Sequence, residues 1–149
     1  MRKCTFVVAL GLVLTLAGCG SGAKLKSAKI VDKMVVDGVG YTFTDQDIVE
    51  ITLDFSFDKK LTSGLDTGNK DALEKALYDK LIGGAHLYSG SQEVDRTHGF
   101  WPDDVGADHA NGMVLYYLIP KGAGSDLHFV YDGALLGDKT KGIDKTLSL

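Results

Sequence analysis

Ile48-Val49-Glu50-Ile51-Thr52-Leu53-Asp54-Phe55-Ser56-Phe57 alternates between two chemistries. Val49, Ile51, Leu53, Phe55 and Phe57 share one parity and are all apolar. Glu50, Thr52, Asp54 and Ser56 share the other and are all polar. Successive strand side chains point to opposite faces, so this period of two predicts a half-buried antiparallel strand with its odd-numbered residues on a core. Asp58-Lys59-Lys60 closes it.

Downstream, residues 62–69 are rich in Gly, Ser, Thr and Asp and read as loop. The period then changes. Leu73, Ala76, Leu77, Lys80 and Leu81 recur at helical spacing, which predicts one amphipathic helix over about 70–82. Asn69 is its expected N-cap, Asp71 and Glu74 suit its positive end, and Gly83-Gly84 stops it. Residues 85–89 form a short strand candidate. From 93 to 111 no period is visible, and the stretch reads as a long loop. Met113 to Ile119 is apolar nearly throughout and reads as a buried strand, stopped by Pro120. Lys121 to Ser125 has the length of a hairpin connection, 127–131 is the expected return strand, and 143–149 is weakly strand-like. Upstream, 28–36 is a strand candidate ended by the Asp37-Gly38 turn signal. Short strands separated by turn residues, with a single helix, predict a mostly β antiparallel sandwich or barrel.

The N-terminus has a different composition. Arg2 and Lys3 precede an apolar run from Phe6 to Leu16, and Ala17-Gly18 leads to Cys19. A positive start, a short apolar centre and a small-residue exit describe a secretory signal. The run falls well short of the roughly 20 residues that span a bilayer. Leu16-Ala17-Gly18-Cys19 also resembles the bacterial lipobox. That resemblance implies cleavage before Cys19 and a diacylglyceryl group on its thiol, so the protein would be extracytoplasmic and membrane-held through lipid on Cys19. One acyl chain holds only marginally, and two give lasting attachment. The expected organisation is a signal peptide over 1–18, a lipidated cysteine and flexible tether over 19–27, and one β-sandwich domain over 28–149.

Loss of the signal leaves 14 basic against 20 acidic residues, a formal charge of −6. That balance excludes nucleic acid as an expected partner and gives no electrostatic pull toward anionic lipid. Cys4 leaves with the signal and Cys19 is the acyl acceptor, so no thiol remains for a disulfide, a zinc site or a nucleophile.

Gly112-Met113-Val114-Leu115-Tyr116-Tyr117-Leu118-Ile119-Pro120, then Lys121-Gly122-Ala123 and Phe129-Val130-Tyr131-Asp132, resembles the late strands of the immunoglobulin-like lipoprotein domains known as DUF4352. There a glycine opens a strand that ends aromatic-x-x-Pro. A short turn and a strand closing on an aromatic and an acidic residue follow. The 49–57 strand fits the family's early central strand, and a lipobox with a short linker is common in it. The resemblance implies an Ig-like antiparallel sandwich, here with the 70–82 helix inserted between strands. Such sandwiches host many functions, so the fold alone names none.

No Gly-x-Ser-x-Gly elbow, phosphate loop or dinucleotide fingerprint occurs. His98, Asp103, Asp104, Asp108 and His109 fall in one stretch, but their spacing matches neither an EF-hand loop nor a His-x-x-x-His zinc pair. Aspartates that cap turns are the expected reading. No catalytic residue, metal or cofactor is assigned. Phe100-Trp101, beside Pro102, are the expected contact residues together with His98, because aromatic rings bury large areas at low entropic cost. The leading expectation is a non-catalytic binding module for an envelope protein or a glycan. The alternatives are a small envelope enzyme or metal-dependent hydrolase using the 98–109 His/Asp stretch, and an inhibitor of a secreted enzyme such as lysozyme.

Overall fold

A computed structural model describes residues 22–137 and 141–149. The signal segment, Cys19 and the first two residues after it lie outside the described residues. The chain forms β1 (Gly22–Val31), β2 (Met34–Val36), β3 (Val39–Tyr41), β4 (Gln46–Ser56), α1 (Lys70–Leu81), β5 (Ala85–Ser89), β6 (Gln92–Val94), β7 (Arg96–Phe100), β8 (Asp104–Val105), β9 (His109–Pro120), β10 (Leu127–Tyr131) and β11 (Ile143–Leu147). The larger sheet has the order β1-β4-β9-β7, with β8 also paired to β9. The smaller has the order β11-β10-β5-β6, and every pairing in both sheets is antiparallel. The fold is therefore mostly β, a two-sheet antiparallel sandwich with one inserted helix.

The alternation in β4 is obeyed. Val49, Ile51, Leu53, Phe55 and Phe57 are each at most 3% exposed. They meet Leu115, Tyr117 and Ile119 of β9, Leu87 of β5, Phe129 and Tyr131 of β10, and Leu73, Leu77 and Leu81 of α1 in one continuous core. The helix is tied at both ends. The Asn69 side chain accepts from Ala72 N at 3.1 Å, satisfying a first-turn amide. The buried Tyr131 hydroxyl donates to the Leu81 carbonyl at 2.8 Å, satisfying a last-turn acceptor.

Four expectations need correction. The strand begins at Gly22, so most of the expected tether is sheet. Ala23 pairs with Phe55 and Leu25 with Leu53, and these small or apolar residues pack against the core. The 28–36 strand breaks at Asp32-Lys33. Its first part ends against Ile48, and its second part pairs with β3 in a separate ribbon. Asp37 and Gly38 both adopt positive φ in the two-residue turn of that ribbon, as a tight hairpin requires. The 93–111 stretch is not a loop: it holds β6, β7, β8 and the start of β9. Finally, β9 and β10 do not pair as a hairpin. Both edges of β9 are already occupied within the larger sheet, so β10 crosses to the smaller one.

Strand β9 explains its own unbroken apolar run. Its odd residues from Met113 to Ile119 line the main core. Tyr116, Val114 and Leu118 face the other way, into a second cluster with Met34, Ile48, Val36, Phe43 and Phe100. The β2–β3 ribbon thus contributes to an apolar cover on the outer face of the larger sheet. Val35, Val39 and Tyr41 of that ribbon remain exposed.

Candidate functional site

The outer face of the larger sheet carries a row of polar and aromatic side chains that crosses β1, β4, β9 and β7. It starts on β1, where Lys29 Nζ lies 3.2 Å from Glu50 Oε1 of β4. The Tyr116 hydroxyl of β9 donates to Glu50 Oε2 at 2.8 Å. Tyr116 meets Phe100 of β7 edge-on, with ring centroids 5.9 Å apart. Phe100 in turn meets His98 edge-on at 4.8 Å. Edge-to-face rings at these separations attract through their quadrupoles. Burial and the Glu50 carboxylate together push the Tyr116 hydroxyl up to about 12, so it stays protonated and donating at any physiological pH.

The strand pairing builds this row. His98 lies opposite Tyr116 and Phe100 opposite Val114, which aligns the two β7 rings with the second apolar cluster. Two of the three sequence-derived contact residues, His98 and Phe100, are therefore brought together. The Phe100 ring is half-buried and packs into the cluster. Trp101 lies one residue past the strand, is 44% exposed and precedes the buried Pro102. It is the only tryptophan in the chain.

The histidine–aspartate stretch divides. His109 pairs with Ser56 at the opposite end of β9 from Tyr116, so strand rise separates it from His98 by about 20 Å. His109 Nδ1 lies 2.9 Å from Asp108 Oδ1, and Nε2 lies 3.4 Å from Asp104 Oδ1. The Asp108 and Asp104 carboxylates raise the His109 pKa, working against partial burial. Hydrogen bonds lower both aspartates, from Asn111 and then His109 for Asp104, and from His109 for Asp108. Among the described residues, no three His, Cys, Asp or Glu side chains gather closely enough to hold a metal ion.

A second concavity was not legible in the sequence. At Asp95 the chain leaves β6, the edge of the smaller sheet, and enters β7, the edge of the larger one. The gap between those edges is a cleft of about 440 Å³. Ile82, Gly83, His86, Glu93, Asp95 and Arg96 are among the residues that line it. His86 Nδ1 and Glu93 Oε1 pair at 2.5 Å. Tyr117 also lines the cleft. It is 1% exposed, and its buried hydroxyl has no hydrogen-bond partner among the described residues. Burial raises its pKa strongly, so it is a neutral donor. The one available sequence signal was Arg96, the sole arginine after Arg2.

Among the described residues no helix is long and apolar enough to cross a membrane. Compared with known proteins, the chain matches no family model, no curated protein and no solved structure.

Proposed function

We propose that this chain is an extracytoplasmic lipoprotein, anchored to a bacterial membrane through lipid on Cys19, that works as a non-catalytic binding module. The recognition surface is the β7 edge of the larger sheet, centred on His98, Phe100 and Trp101. Its partner is an envelope protein or glycan. The observation that carries this is Trp101: a large aromatic side chain left 44% exposed one residue past the strand whose His98 and Phe100 belong to an ordered aromatic row. Rings held by neighbours lose little entropy on binding, which suits them as contact residues. Two features of the sequence support the setting: the lipobox-like Leu16-Ala17-Gly18-Cys19, and the DUF4352-like pattern over 112–132.

The anchor and the surface are tested separately. Cys19→Ser should move the protein from the detergent phase to the aqueous phase, and continued membrane retention would overturn the anchor. The soluble 20–149 domain should recover one stoichiometric protein or a glycan from envelope extract, with at least tenfold less recovered by Trp101→Ala. Equal recovery by wild type and variant would overturn the surface.

A further inference from the structure

The cleft between the sheet edges holds several polar groups that the fold does not use, and its lining includes none of the residues of the aromatic row, although Arg96 shares β7 with His98 and Phe100. Arg96 has no carboxylate within ion-pair distance among the described residues, and neither Asp95 nor the Tyr117 hydroxyl has a partner there. A buried hydroxyl without a partner is costly, and native proteins almost always satisfy one. Arg96 lies opposite Tyr117 in the strand register, so guanidinium and phenol start from neighbouring backbone positions. Asp95 directly precedes Arg96, and the His86–Glu93 pair also lines the cleft. The volume falls within the roughly 300–1,000 Å³ usual for small-molecule sites.

We propose that this cleft binds a small zwitterion of amino-acid or dipeptide type, its carboxylate on Arg96 and its ammonium on Asp95, over a floor to which Tyr117 contributes. Opposite charges on adjacent residues select a ligand carrying both. A guanidinium fork matches a carboxylate in two parallel hydrogen bonds, which fixes the ligand's direction in the cleft. A simple anion would meet Asp95 and Glu93 as repulsive neighbours, and a simple cation would meet Arg96.

Gly83 provides a clean way to close the site. A Cβ built there meets no atom within 4 Å, so a larger side chain enters open space rather than packed structure. The test is a ¹⁵N–¹H NMR titration of the detergent-solubilised full chain with alanyl-alanine, acetate and methylammonium in turn. Alanyl-alanine should shift the amides of 82–86 and 93–96, at least tenfold more tightly than either single-charge probe. Arg96→Gln and Gly83→Leu should each weaken it by tenfold or more. Three results would overturn the proposal: no shifts with the dipeptide, acetate or methylammonium binding as tightly as the dipeptide, or full binding retained in Gly83→Leu. The Trp101→Ala variant should bind the dipeptide normally, which separates failure of this site from failure of the aromatic surface.

Discussion

The two faces of the larger sheet share the same strands and differ in how they are covered. The inner face of β4 and β9 is sealed by the smaller sheet and by α1, and its side chains are dry. The outer face is covered only in part, by the apolar cluster to which the β2–β3 ribbon contributes. Tyr116 and Phe100 belong to that cover, Glu50 and His98 adjoin it, and Trp101 follows one residue past the strand and is exposed. One face holds the domain together. The other retains apolar and aromatic area beyond what folding consumes, and that remainder is what a binding surface needs. Adjacent residues of one strand, Leu115 and Tyr116, therefore belong to different physical problems.

The sharpest contrast is between those two neighbours. Leu115→Ala opens a cavity in the sealed core and should cost roughly 2–5 kcal/mol of stability. Tyr116→Phe removes only the hydrogen bond to Glu50 on the half-covered face and should cost about 1 kcal/mol. Urea denaturation of both variants checks the ratio, and equal losses would break the distinction between the faces.

Next in size is the bulge that bends β9 past β4. Register slips there between Leu53 and Phe55, and the Gly112 amide donates to Asp54 Oδ1 at 2.9 Å. Gly112 has φ +77, and a Cβ on it would come within 2.3 Å of Asp103 Oδ1. Gly112→Ala should cost about 1–3 kcal/mol through backbone strain and, by displacing Asp103, should also weaken binding through the neighbouring Trp101 segment. Denaturant midpoints and partner recovery read the two quantities apart.

The smallest effect lies at His109, where the raised pKa gives the sign. The folded state binds the imidazolium proton more tightly than the unfolded chain does. Its contribution is therefore full below the ordinary value of 6.5 and lost as pH rises through the folded value. The side chain is 35% exposed, so solvent screening holds the effect to a few tenths of a kcal/mol. His109→Gln should be less stable than wild type at pH 5 and nearly equal to it at pH 8. Thermal melts at the two pH values would show this.

Sequence patterning exposed the inner face better than the outer one, for a physical reason. Burial on one side imposes a period, and residues 48–57 and 70–82 display theirs plainly. Strands β6, β7 and β8 are two to five residues long, too short for any period to emerge, so 93–111 read as loop. At the N-terminal end of β1, charged Lys24 and Lys26 alternate with Ala23 and Leu25, but flanking Gly and Ser made the segment resemble a linker. His98 and Phe100 were visible as chemistry, although their meeting with Tyr116 depended on a pairing no local pattern encodes. The cleft was hidden altogether, because it exists only where the chain crosses between sheets at Asp95.

Thiol labelling of the soluble 20–149 domain tests the two-faced sheet most directly, since those residues contain no cysteine and an introduced thiol would be the only one there. Thr52→Cys and Trp101→Cys should react with a water-soluble maleimide in the native protein. Leu53→Cys and Leu115→Cys should react only once the domain is unfolded in denaturant. Labelling of position 53 or 115 in the native state as fast as position 52 would contradict the account.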